Sequence, residues 1–221
     1  MPYNIQFKTP FNLIISGMSG SGKTTWVQNL LRIKEQIFSE SPSKVFLFYK
    51  IIQNVYLEMQ QQGLVTELIN VAENPISLDE IQLMVHKHKD NGGCLLIFDD
   101  SMTNINEDFE NLFCNLGHHE NASIIFLTQN LFYQNKTFRT MSLNSHYLVL
   151  MKNDRDKQQT SILAKQFSPH NNAFITKAFF DATLKAYSYL ILDFRPDTPS
   201  NIRVRSRIFQ NQFPCTIYLE K

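Results

Sequence analysis

The chain has 221 residues, 43% of them hydrophobic and 12% aromatic, enough apolar mass for one well-buried α/β core with a small appendage. Its 21 Lys and Arg against 20 Asp and Glu leave a formal charge of +1, which excludes a polybasic nucleic-acid arm and an acidic solvating tail, so any DNA contact must come from local patches. Cys94, Cys114 and Cys215 are widely spaced and form no CxxC pair, which argues against a disulfide framework or zinc knuckle and for a reducing intracellular compartment.

No apolar run approaches the ~18 residues that cross a bilayer, and the opening MPYNIQFKTP lacks the basic and apolar regions of a secretory signal. The expectation is a soluble protein that is neither secreted nor in a membrane. Four of its seven glycines, Gly17, Gly20, Gly22 and Gly63, lie in the first third, and no linker, repeat or domain boundary interrupts the chain.

In chain order, residues 11–16 (FNLIIS) read as a buried strand ending at Gly17. Residues 23–36 then place Trp26, Val27, Leu30, Leu31 and Ile33 at helical spacing. A second strand is predicted at 44–49 (KVFLFY) and a helix at 78–89, with Ser77 as cap and Glu80 completing a capping box. The continuous apolar run 94–98 (CLLIF) reads as a parallel strand buried on both faces, and it ends in Asp99 and Asp100. A helix over 107–116, strands at 123–128 and 146–151, and helices over 155–167 and 172–186 complete a repeated βα pattern. The tail, 188–194 and 202–209 around RPDTPSN, reads as an antiparallel hairpin extending the sheet. One P-loop domain is expected, a core over 11–187 and a β extension over 188–221.

Gly17-Met18-Ser19-Gly20-Ser21-Gly22-Lys23-Thr24 matches GxxxxGK[ST] between a strand and an amphipathic helix, where a phosphate-binding loop must stand. Its glycines let successive N–H groups converge on phosphate, and the helix adds its positive end. Lys23 supplies the cation, Thr24 a hydroxyl for Mg²⁺, and Thr25 extends the nucleotide-binding set. Such a loop needs an acid at the end of a neighbouring strand: Asp99 is the candidate on the metal side and Asp100 the candidate that polarises the attacking water. Either could instead be a turn residue. Gln129, just past the strand 123–128, is a candidate γ-phosphate sensor if that strand lies between those bearing the loop and the acids.

The segments GMSGSGKTTW, LLIFDDSM, HHENASIIFLTQNLF, FRTMSLNSHYLVLMKNDRDKQQ and YLILDFRPDTPSNIRVRSRIF, in that order, resemble genome-packaging ATPases of the FtsK/HerA superfamily, of the kind found in Polinton (Maverick) elements and adintoviruses. The resemblance runs from about residue 11 to residue 209. It implies a RecA-like core, ATP and Mg²⁺ as cofactors, a homo-oligomeric ring, and threading of double-stranded DNA into a preformed capsid at the site of virion assembly. The family pattern is rich in arginine before the sensor strand, whereas this chain has Asn115 and Glu120 around His118 and His119. Arg139 and Arg155, in expected polar loops flanking the 146–151 strand, remain as candidates for an arginine reaching a neighbour's γ-phosphate.

His118 and His119 are expected on a surface or interface loop, not at a metal. Arg203, Arg205 and Arg207 alternate with apolar or small residues, so on a strand they would share one face, suited to edge protection, an acidic partner or phosphate. Phe174, Phe179 and Phe180 read as core or interface. The rival functions are a P-loop kinase of a small molecule, for which residues 50–75 offer no arginine, and a non-catalytic nucleotide-gated assembly protein; a replicative helicase is weaker still.

Overall fold

A computed structural model of the protein describes residues 5–99, 107–129, 136–153, 157–167, 171–212 and 214–220; Asp100 and Arg155 lie outside them. The elements are β1 (Asn12–Ser16), α1 (Lys23–Arg32), α2 (Lys34–Ile37), β2 (Lys44–Tyr49), α3 (Asn54–Gln61), β3 (Glu67–Asn70), α4 (Leu78–His86), β4 (Cys94–Asp99), α5 (Glu107–Glu120), β5 (Ala122–Thr128), α6 (Lys136–Leu143), β6 (Tyr147–Met151), α7 (Lys157–Phe167), α8 (Asn172–Ala182), β7 (Tyr189–Asp193), β8 (Val204–Ser206) and β9 (Thr216–Ile217). Among the described residues the strands form one nine-stranded sheet in the order β3-β2-β4-β5-β1-β6-β7-β8-β9. Pairings from β3 to β6 are parallel, and those from β6 to β9 antiparallel.

The strands are apolar at nearly every position because helices cover both faces. Alternation then sorts each strand between two cores. Leu95 and Ile97 of β4 join Leu13 and Ile15 of β1 against Trp26, Val27, Leu30 and Leu31 of α1 and Tyr56 and Met59 of α3. Cys94, Leu96 and Phe98 face the other way, with Ile14, onto α4, α5 and α8 through Val85, Phe113 and Phe179. The capping box holds as expected: the Glu80 amide donates to Ser77 Oγ at 3.2 Å, and Glu80 Oε2 accepts from the Ser77 amide at 2.7 Å.

Several sequence expectations need correction. The first helix stops at Arg32, because Ile33 leaves helical geometry (φ −114°) and the short α2 starts afresh. The helix expected to reach 186 ends at Ala182. His118 and His119 lie within α5, not on a loop, and Arg139 lies on α6, not on a loop.

The three tail arginines share no face. Arg203 is helical (φ −69°, ψ −26°) and Arg207 left-handed (φ 59°), so strand alternation lasts only from Val204 to Ser206. Arg203 donates to the carbonyls of Thr198, Arg195 and Pro196, holding the turn. Arg205 is 1% exposed and donates to Asp193 Oδ2 at 3.0 Å and to the Ile202 carbonyl, with its guanidinium 5.6 Å from the Phe7 ring centre. Arg195 in turn donates to the carbonyls of Lys8 and Pro10, so the C-terminal strands clamp the segment leading into β1.

Candidate nucleotide site

The parallel registers bring the strand ends to one rim: Tyr49 stands beside Asp99, Asp99 beside Leu127, and Ser16 beside both Thr128 and Leu150. A crevice outside the carboxyl ends of such strands is where open α/β sheets bind ligands. The glycine loop occupies it, and its Gly17 amide donates to the Thr128 carbonyl at 3.1 Å. A Cβ on Gly17 would lie 2.6 Å from Met151 Cβ, so no side chain fits there. Gly22 has φ +94°, which glycine adopts without strain, and it starts α1 with no side-chain cap and no acid in the first turn. The first amides of α1 therefore present an uncapped positive end to the crevice.

Lys23 is buried and its Nζ donates to the carbonyls of Gly17 (2.7 Å) and Met18 (3.2 Å), across the mouth of the loop. Thr24 Oγ1 donates to Asp99 Oδ2 at 2.6 Å. The sequence thus brings together residues 75 positions apart, because β4 ends level with the loop. Ser21 Oγ is buried and has no hydrogen-bond partner among the described residues. Ser19, Gly20, Gly22, Lys23, Thr24 and Thr25 line a cavity of about 450 Å³ together with Asp99. That lies within the range of small-molecule sites.

The structure adds a residue that no motif marked. Tyr56, on α3 and 1% exposed, donates its phenol to the same Asp99 oxygen at 2.9 Å and accepts from Gln53 Nε2 at 2.8 Å. A lone tyrosine in a glutamine-rich stretch carries no sequence signal for this contact.

Gln129 is exposed and follows β5, which does lie between β4 and β1. Arg139 is exposed on α6 and does not line the cavity of its own chain. Asp100 and Arg155, the candidate base and second candidate arginine, lie outside the described residues.

Solved structures with this architecture include the genome packaging NTPase B204 of Sulfolobus turreted icosahedral virus 2, in complex with ATP-gammaS (TM-score 0.57, 12% identity, 95% of this chain and 97% of that one). EssC ATPases 2 and 3 from Geobacillus thermodenitrificans (TM-score 0.52, 12% identity) match 69% of this chain and 34% of that one. A KaiC-like protein from Pyrococcus horikoshii (TM-score 0.50, 11% identity) matches 96% and 91%. At these identities the likeness is one of fold, the RecA-like P-loop NTPase fold.

In sequence the chain is 30% identical over 135 residues to the DNA packaging protein OPG160 of variola and vaccinia viruses, covering 55% of this chain and 47% of those proteins. It spans about half the length of these curated relatives. Residues 2–166, three quarters of the chain, match the profile described as Poxvirus A32 protein, and the chain belongs to that family.

Proposed function

We propose that the protein is an ATP-hydrolysing translocase that packages double-stranded viral DNA into a capsid. The observation that carries this reading is the convergence of Lys23, Thr24 and Asp99 at the mouth of the glycine loop, with Thr24 and Asp99 in direct hydrogen bond at 2.6 Å. The family, whose relatives include proteins named for DNA packaging, supplies the process that such a site would drive. The narrower kinship with Polinton and adintovirus packaging ATPases is supported by the order of motifs across residues 11–209.

The triphosphate would lie along the loop amides and the N-terminus of α1, with Lys23 exchanging its two carbonyl partners for phosphate oxygens. The donors at the rim suit Mg²⁺, since a hydroxyl and a carboxylate are hard oxygen ligands. Thr24 and Asp99 would hold the ion, which when bound draws negative charge from the phosphates. Tyr56, anchored by Gln53, holds the Asp99 carboxylate in place. Asp100 would take a proton from the water whose oxygen attacks the γ-phosphorus, as the bond from that phosphorus to the bridging oxygen breaks and ADP leaves. Gln129 would position that water, and an arginine from a neighbouring subunit in a ring, Arg139 or Arg155, would neutralise the transferring group.

Translocation is tested by displacement of a third strand from a triplex placed on duplex DNA. The protein should strip it in ATP, and not in ADP or when Lys23→Ala is used. Hydrolysis without displacement on any duplex length would contradict the translocase reading. ATP-dependent phosphorylation of a small-molecule acceptor in place of hydrolysis would favour a kinase.

A further inference from the structure

The cavity has two chemically unlike ends. One is the glycine loop with Lys23, Thr24 and Asp99; the other is aromatic, lined by Trp26 of α1, by Tyr187 just before β7 and Tyr189 at its start, and by Phe209 after β8. Trp26, Tyr189 and Phe209 pack edge-on or tilted, with ring centres 5.6 to 5.8 Å apart, and all three are buried. Burial pushes the Tyr189 phenol up, so it remains a neutral donor, and it donates to Gln212 Oε1 at 2.7 Å. This fixes the amide at the edge of the cavity. Tyr187, between α8 and β7, also lines the cavity, yet it is unlike the other three aromatics. It is 68% exposed, and its backbone is left-handed at φ 59°, a region that bulky residues rarely enter. Its ring lies against the glycine loop: a Cβ on Gly22 would sit 3.2 Å from Tyr187 Cδ1. Burial does not explain why an aromatic ring is held in that conformation, and strained residues at a cleft point to a ligand role.

We propose that Tyr187 is a nucleobase platform, on whose ring the base of a nucleoside triphosphate stacks while its phosphates occupy the glycine loop. The proposal rests on the reading of residues 17–24 as a triphosphate site. Phosphates on the loop and at the start of α1 leave the sugar and base to extend into the remaining cavity, whose open side carries Tyr187 and whose back wall is the Trp26, Tyr189 and Phe209 cluster. A phenol ring offers a flat face to any base, so stacking contributes affinity with little base selectivity. Of the residues at this end, Trp26 lies within the part of the chain that matches the family, residues 2–166, whereas Tyr187, Tyr189, Phe209 and Gln212 lie past it.

Calorimetric titration of the full chain with ATP and with inorganic tripolyphosphate, in Mg²⁺, separates the two ends. Tyr187→Gly removes the ring while suiting the left-handed backbone, and Tyr187→Phe keeps the ring. Tyr187→Gly should bind ATP roughly tenfold more weakly and tripolyphosphate as the wild type does, and Tyr187→Phe should bind both normally. Unchanged ATP affinity in Tyr187→Gly, or an equal loss for both ligands, would overturn the platform. Wild-type protein that binds tripolyphosphate as tightly as ATP would also overturn it while leaving the phosphate site standing. Binding of neither by the wild type would overturn the triphosphate reading and the platform with it.

Discussion

At the scale of residues, one carboxylate oxygen organises the site. Asp99 Oδ2 accepts from both Thr24 and Tyr56, so the side chain is oriented from two elements before any ligand arrives. Removing the phenol alone tests how much that orientation matters. Tyr56→Phe keeps the ring in the core and should destabilise the fold by about 1 kcal/mol, the typical net contribution of one hydrogen bond. It should also raise the Mg²⁺ concentration for half-maximal turnover several-fold, as loss of an outer partner does for metal ligands generally. A Mg²⁺ dependence identical to wild type would show that Tyr56 is only packing. The two acids are expected to separate cleanly. Asp100→Asn should bind ATP with nearly wild-type affinity and turn over at least a hundredfold more slowly, because loss of a general base acts mainly on the chemical step. Near-normal hydrolysis by Asp100→Asn would assign that role elsewhere.

At the scale of elements, the C-terminal strands are held by a buried ion pair rather than by a long ladder. β8 has three residues and β9 two, and Arg205 and Asp193 lie 1% and 2% exposed between them and the Phe7 segment. Breaking such a pair leaves an uncompensated buried charge. Asp193→Ala should therefore lower unfolding free energy by about 3 to 5 kcal/mol in urea titration, whereas truncating the exposed Lys8 partner of Asp197 should change it by less than about 1 kcal/mol. Equal small losses would mean that the pair is screened by water. The same region shows where the sequence was legible. Runs such as LLIF and SIIFLT announce strands buried on both faces, and the glycine loop is readable because its spacing follows from the chemistry of phosphate. By contrast α3 buries only Tyr56 and Met59 and ends in glutamines, and β3 is one exposed and three half-buried residues, so neither shows a clear period. Ile51 and Ile52 are exposed apolar residues that obscure that stretch further. The alternating arginines misled because alternation predicts a shared face only while the backbone stays extended, and here left-handed and helical residues flank three extended ones.

At the scale of the whole molecule, the sheet order brings residues far apart in the chain to one rim: Gln129 follows β5 and the glycine loop follows β1, side by side, with β4 and its acid next to β5. Arg139 is exposed on α6 and is not among the residues that line the cavity; in the proposed ring it would act on the site of a neighbouring copy. Mixing Arg139→Ala with Lys23→Ala subunits should then restore part of the hydrolysis, at junctions that pair an intact loop with an intact arginine. No rescue while mixed rings form, followed by rescue with Arg155→Ala, would move the role to Arg155.

The proposed ATPase site at the glycine loop and Asp99, coupled to duplex DNA, is read from phosphate release measured with and without long duplex DNA. Wild-type protein should hydrolyse ATP in Mg²⁺, at least several-fold faster with DNA, and Lys23→Ala should show no turnover in either condition. Hydrolysis that ignores DNA would rule out a DNA-coupled motor, and hydrolysis that survives Lys23→Ala would rule out the glycine loop as its site.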